Sequence, residues 1–198
     1  MVADLELLYD LGSPYSYLAS TQVGALATRA GVRLVLGPFS LGAVFKEQGI
    51  VAGATIPARR AYIEKDLQRW ARRYGVPFVL PESYPADSQL ADCAALSADE
   101  QGVQLAAMAA LFAAHFVHGR DVANPEVVVA ALDGAGLDGR ALAQRAASAE
   151  IRERLRQRTD AAIRRGAFGA PTLFVGDEMF WGNDRLDFVE DAVAAARG

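Results

Sequence analysis

The chain has 198 residues, 20 Lys and Arg against 24 Asp and Glu, a formal charge of −4, and 52% hydrophobic residues. That length sustains a full core in one domain, the acidic balance gives no reason to expect nucleic acid or an anionic membrane as partner, and no apolar run reaches a bilayer span. The single cysteine, Cys93, excludes an internal disulfide, and acids at Asp4 and Glu6 stand where a secretory signal carries positive charge, so the expected setting is cytoplasmic.

Residues 5–11 read as a short buried strand, nearly all apolar. Asp10-Leu11-Gly12-Ser13-Pro14 then turns into a helix. Ser13 is a good cap, and Pro14 suits the first helical position, where a missing N–H costs nothing. The free N–H groups and positive dipole end of that helix gather around Ser13 and are placed to hold an anion. Ser13-x-x-Ser16 also has the spacing of a Cys-x-x-Cys redox pair, with oxygen in both places. Apolar residues recur helically at Tyr17, Leu18, Val23, Leu26 and Ala27, and Gly31 stops the helix. Residues 32–36 form a second strand, which makes a β-α-β unit with parallel pairing and a right-handed crossover.

After Gly37-Pro38 a short helical piece within 42–53 carries Phe45 and Lys46, and Pro57 opens a helix whose apolar side includes Ala61, Tyr62, Leu67 and Trp70. Residues 77–89, with Pro81 and Pro85, are excluded from regular helix and predict an ordered loop. Residues 92–135 are helical and alanine-rich, broken at 119–125, where Asn124-Pro125 caps a new helix. Helices follow at 137–144 and 150–165. Arg152, Arg154, Arg156, Arg158, Arg164 and Arg165 spread around the latter among Glu150, Glu153 and Asp160, so they read as a solvated face rather than an anion site. His115 and His118 are three apart but lack acidic or cysteine partners at ligand spacing, and read as ordinary histidines. Cys93 reads as a small buried hydrophobe, and Trp70 and Tyr74 as core. Residues 171–175 and 179–181 form a hairpin around Gly176-Asp177-Glu178, and Gly182-Asn183-Asp184-Arg185 opens the final helix. A βαβ half at the start and a ββα half at the end predict an α/β thioredoxin-like fold with an inserted all-helical subdomain.

Three stretches together resemble one family: residues 10–19 (DLGSPYSYLA), 66–77 (DLQRWARRYGVP), and 166–175 (GAFGAPTLFV) continuing through 179–186 (MFWGNDRL). They resemble the 2-hydroxychromene-2-carboxylate isomerases, which are close relatives of kappa-class glutathione transferases and more distant ones of DsbA disulfide oxidoreductases. The resemblance implies a single domain over 1–198, with 1–40 and 158–198 as the thioredoxin-like part and 41–157 as the helical insertion. It also implies a homodimer and glutathione as cofactor. It places the catalytic serine on Ser13 and a cis bond before Pro171, with the Ala170 backbone pairing to the cysteinyl part of glutathione. Asn183 and Asp184 would receive the γ-glutamyl end. Arg59 stands where the family carries a glutathione-binding lysine. The chain departs from the family at residues 49–53, where an asparagine and paired prolines are usual. That loop borders the second-substrate pocket, so the substrate's identity stays open.

With no cysteine in the motif, the attacking thiol must be brought in. The implied activity is reversible thiolate addition to 2-hydroxychromene-2-carboxylate or a related conjugated aromatic acid, giving the trans-o-hydroxybenzylidenepyruvate type of product. Lys46 is the candidate partner for the substrate carboxylate. Two alternatives stay open: a kappa-like glutathione transferase or peroxidase that consumes glutathione, and a non-catalytic thioredoxin-fold binding module.

Overall fold

The computed structural model describes residues 4–51 and 55–196. Its four strands stand in the order β2-β1-β3-β4. β1 (Leu5–Tyr9) and β2 (Leu34–Pro38) run parallel, Leu5 opposite Leu34 and Tyr9 opposite Pro38, and α1 (Pro14–Ala30) joins them. β3 (Thr172–Val175) lies antiparallel on the other edge of β1, Leu5 opposite Val175, and β4 (Glu178–Trp181) completes the hairpin. The two ends of the chain therefore share one sheet, as the β-α-β and ββα patterns predict. β1 sits centrally and is covered on both faces, which explains its mostly apolar run: Leu5, Leu7, Leu8 and Tyr9 are all buried, while Glu6 is partly exposed and pairs with Arg165.

α1 begins and ends as its sequence dictates. The Ser13 hydroxyl accepts from the Ser16 N–H at 3.2 Å, Pro14 occupies the first turn, and Gly31 closes the helix at φ 61° with its N–H on the Ala27 and Thr28 carbonyls. Between β2 and β3 run α2 (Leu41–Gln48), α3 (Pro57–Tyr74), α4 (Gln89–Asp99), α5 (Gln104–Phe116), α6 (Pro125–Gly134), α7 (Gly139–Ala146) and α8 (Ala149–Arg164). α9 (Leu186–Ala195) follows β4 after a 3-10 turn over Asn183–Arg185.

Three expectations change. The helical stretch 92–135 has a second break at residues 100–103, where Gly102 takes φ 70° and lets α5 fold back along α4. The final helix does not begin at once but through the 3-10 turn. The helices between β2 and β3 do not form a separate lobe, because α4 packs on β2 as well as on α7 and α8. Tyr9 and Tyr17 meet Phe112 at 5.8 and 6.0 Å, so one core runs from Leu5 and Leu7 through to Leu132 and Leu142. Each fully buried Leu or Phe in it contributes about 1.5–3 kcal/mol. The boundary expected at residue 157 falls inside α8, an uninterrupted helix, so α8 stands whole beside the sheet.

The arginine-rich face of α8 is largely ion-paired. Arg154 meets Glu100, Arg156 meets Glu153 and Asp160, and Arg158 meets Asp99. Arg165 pairs with Glu6 and lies over the Phe174 ring. Such pairs hold the helix surface in place but contribute little each.

Candidate active site

The turn after β1 uses up almost all of its own N–H groups. Leu11 N–H donates to Asp92 Oδ1 (2.9 Å), Gly12 N–H to Asp10 Oδ1 (2.7 Å), and Ser13 N–H to the Asp10 carbonyl (2.9 Å). Ser16 N–H goes to the Ser13 hydroxyl and Tyr17 N–H to the Ser13 carbonyl. Pro14 has no N–H, so in this turn the Tyr15 N–H is left without a partner among the described residues. Gly12 suits a close approach here, since a Cβ would lie 3.1 Å from Asp10 Oδ1 and 3.3 Å from the Ala86 carbonyl and would make a neighbour yield.

Ser13 is buried, and its hydroxyl donates to the Ala170 carbonyl at 3.1 Å across 157 residues of sequence. The Ala170–Pro171 peptide bond is cis, as the family resemblance implies, and the Ala170 N–H has no partner among the described residues. The Tyr84–Pro85 bond, not foreseen, is cis as well. Ser16 lies fully buried with its hydroxyl unpartnered, so the Ser-x-x-Ser spacing presents one hydroxyl to the site rather than two.

Beside Ala170 opens a cleft of about 250 Å³, walled by Tyr15, Asp66, Trp70 and Trp181 and floored by residues 182–185. Trp181 stands where it does because Gly169 has no side chain: a Cβ there would land on the indole Nε1. Its ring meets Phe168 at 4.8 Å, and both rings are partly exposed. The Tyr15 hydroxyl donates to Asp66 Oδ2 at 3.0 Å. Burial, and then the Asp66 charge, push the Tyr15 phenol well above its ordinary range, so it stays protonated. Asn183 is buried, and the Tyr74 hydroxyl donates to its carbonyl at 2.7 Å. Asp184 is exposed and accepts from Arg185 Nη1 at 2.7 Å.

The structure brings Ser13, Ala170, Pro171, Asn183 and Asp184 together. Arg59 is exposed in the first turn of α3 and forms no ion pair among the described residues. It precedes Asp66 by nearly two helical turns, on the same face, about 10 Å along the axis. Lys46 goes elsewhere: α2 packs on α8, and Lys46 lines a groove there with Ser40, Arg152 and Thr159 rather than the cleft beside Ala170. The divergent loop 49–53 begins with Gly49 at φ 65° and exposed Ile50 and Val51, while its positions 52 and 53 lie outside the described residues. His115 is buried against Phe116 and its Nδ1 meets the Arg120 carbonyl at 2.7 Å, whereas His118 is exposed. Among the described residues no group of three His, Cys, Asp or Glu is placed to hold a metal. Cys93 is buried and its thiol is pushed up to about 11, chiefly by burial, which leaves it inert.

Sequence reasoning missed Tyr15 and Asp66 as walls of the cleft and the buried acids Asp10 and Asp92 beneath Ser13, and left open the role of Trp181 near the site. It read Trp70 and Tyr74 only as core. Both do pack against the core, yet Trp70 also faces the cleft and Tyr74 anchors Asn183. The available signal was seven-residue spacing on α3, which puts Arg59, Asp66 and Arg73 along one side. For Asp92 it was an acid set within Ala91-Asp92-Cys93-Ala94-Ala95-Leu96.

Residues 4–194 match the model of the DSBA-like thioredoxin domain. A 2-hydroxychromene-2-carboxylate isomerase of Sphingobium xenophagum is 34% identical over 96% of this chain and 97% of its own, and one of Pseudomonas putida is 33% identical over 96% and 93%. Human glutathione S-transferase kappa 1 is 23% identical over 93% of this chain and 88% of its own. Among solved structures, a selenomethionine 2-hydroxychromene-2-carboxylate isomerase superposes with a TM-score of 0.89 at 31% identity, covering 96% of this chain and 94% of that one.

Proposed function

Because the chain belongs to the DSBA-like thioredoxin domain family and, within it, to the 2-hydroxychromene-2-carboxylate isomerases, which makes it an isomerase, we propose that it isomerises 2-hydroxychromene-2-carboxylate or a related conjugated aromatic acid with glutathione as cofactor. The observation that carries this reading is the pairing of the Ser13 hydroxyl with the Ala170 carbonyl beside a cis Ala170–Pro171 bond. It sets a hydroxyl, the start of a helix and an open backbone edge against one cleft.

The residues present fit glutathione. The unpartnered N–H of Ala170 and its carbonyl form an edge that an extended peptide can pair with as an added strand. Asn183 and Asp184 lie at the end of the same cleft for the γ-glutamyl group, and Arg59 offers a cation to a carboxylate. When bound, glutathione supplies a nucleophilic sulfur whose reversible addition permits cis–trans rotation and which is returned unchanged. The Ser13 hydroxyl, which donates to the Ala170 carbonyl here, would be the donor to negative charge on that sulfur. The Tyr15 N–H and the dipole of α1 favour the same charge. Trp181, Trp70 and Tyr15 give the cleft an aromatic wall for an apolar ring. Homodimerisation, supported by the resemblance alone, and a cytoplasmic setting, supported by the lone cysteine, belong to this proposal.

The deciding experiment supplies 2-hydroxychromene-2-carboxylate with catalytic glutathione. The expected result is trans product over many turnovers per glutathione, none without glutathione, and no rescue by S-methylglutathione. Accumulating conjugate or oxidised glutathione would point instead to a transferase or peroxidase. Failure to bind glutathione at millimolar concentration would overturn the reading.

A further inference from the structure

Two carboxyl side chains lie shut away from solvent beneath the first turn of α1. Asp10 is 4% exposed and Asp92 0%. Asp10 receives three short bonds, from Gly12 N–H and the Ser88 hydroxyl on Oδ1 and from Leu41 N–H on Oδ2, each at 2.7 Å. Donors of that number and length are what an ionised carboxylate needs out of water. Asp92 takes the Leu11 N–H on Oδ1, and its buried Oδ2 has no partner. An ionised carboxyl there would hold its charge almost uncompensated.

The two acids hold one turn, Leu11 N–H going to Asp92 and Gly12 N–H to Asp10. Burial raises both carboxyls above their ordinary range, Asp92 further, and the charge on Asp10 is the next cause at Asp92. The remaining groups that face Asp92 do not neutralise it. Asp87 is a further acid, and the Ser88 hydroxyl, which favours a charged Asp92, is already donated to Asp10 Oδ1. Tyr9 and Cys93 are neutral and are themselves pushed up by burial and by the Asp92 charge. The nearby cations act on those two neighbours, Arg158 on Tyr9 and Arg152 on Cys93, and Arg158 is also engaged with Asp99.

We propose that Asp10 and Asp92 share one negative charge, Asp10 as the carboxylate that fixes the turn bearing Ser13 and Asp92 as the acid that keeps the proton, and that this pair sets how readily a thiolate is held over Ser13. The inference rests on the thiolate reading above. A thiolate at the start of α1 stands over this pair, so each buried charge below opposes it. One charge is the fixed cost of anchoring the turn, and the proton on Asp92 removes the second. Asp10 and Asp92 are thus positioning and electrostatic residues, not groups that touch the reacting atoms.

Two measurements separate this from the glutathione reading. Carboxyl-carbon NMR on aspartate-labelled, ligand-free protein at neutral pH, with Asp92 assigned by loss of its signal in Asp92→Asn and Asp10 likewise in Asp10→Asn, should find Asp92 protonated and Asp10 ionised. Both ionised would overturn the proposal, whether or not glutathione binds. If a variant fails to fold, through-bond assignment in the wild type gives the same reading. The second measurement is the thiol pKa of bound glutathione, from the ultraviolet absorbance of the thiolate. Asp10→Asn removes the charge and should raise the thiolate-to-thiol ratio about tenfold, one pKa unit downward. Asp92→Asn keeps the charge state and should leave the ratio within about twofold. The reverse pattern, or no shift in either variant, would overturn the proposal. If no glutathione binds, the thiolate part falls with the function proposed above, and the NMR result still decides the sharing of the proton.

Discussion

Tyr74, on the last turn of α3, holds the Asn183 carbonyl through a 2.7 Å hydrogen bond across 109 residues of sequence. The bond joins the insertion helix that walls the cleft to the turn that floors it. Asn183 returns a weaker bond through Nδ2 at 3.4 Å. Tyr74→Phe removes the bond while keeping the ring against Trp70. The expected cost is about 1 kcal/mol of stability, with a raised KM for glutathione and little change in kcat. Denaturant unfolding and steady-state kinetics check both parts, and an unchanged KM would free Asn183 from the binding role.

Ser13→Ala keeps the fold, because Pro14 and the buried face of α1 remain, but loses the cap and the bond to Ala170. The cap is worth about 1 kcal/mol. A hydrogen bond to a charged partner contributes about 1.5–3 kcal/mol, roughly ten- to a hundredfold in turnover if it acts mainly in the transition state. Wild-type turnover in the variant would reduce Ser13 to a helix cap.

Gly169→Ala tests the aromatic wall. The added methyl collides with the Trp181 indole, which must swing away from the Ala170 edge. Overpacking of this kind costs about 1–3 kcal/mol. Trp181 fluorescence should shift, and glutathione affinity should fall even where the protein stays folded. An unaltered Trp181 signal would show that the ring is not held by this glycine.

His115 gives a pH-dependent test of stability. Burial holds its imidazole below the ordinary value of about 6.5, against the opposing Arg120 carbonyl. The unfolded chain therefore binds the extra proton first, and stability falls as pH drops from about 6.5 through the depressed folded value. His115→Asn should flatten that part of the pH–stability curve, whatever its effect on stability at neutral pH. Chemical denaturation across the acid range checks it, and parallel curves for the two proteins would assign the acid sensitivity elsewhere.

The parts of the fold legible in the sequence are those where local chemistry and packing agree. β1 could be read because a central strand is apolar at every position but Glu6, and α1 because Ser13, Pro14 and Gly31 mark its ends. The cis bond at Pro171 and its closeness to Ser13 came from the residues around Gly169-Ala170-Pro171 together with the family resemblance. The break at residues 100–103 was hidden because alanine on both sides keeps the helical pattern going across Gly102. Lys46 was misplaced because spacing along the chain says nothing of which way α2 turns after β2. The Asp10–Asp92 pair was invisible for a related reason: the burial of this turn is decided by the start of α4, which brings Ser88, 78 residues after Asp10, and Asp92, 81 residues after Leu11.

The bond from Ser13 to Ala170 also bears on the order in which a ribosome delivers the protein. Its two ends lie 157 residues apart. At roughly 5–20 residues per second, the serine waits about 10–30 s for its carbonyl partner. Through that interval β1 has β2 beside it and its opposite edge bare, because β3 is not yet made. A bare edge on an apolar strand invites pairing with another chain. Cells producing this protein rapidly should depend on whatever shields that edge, and slowing translation near the C-terminus should lengthen the exposure without altering a single contact in the finished molecule.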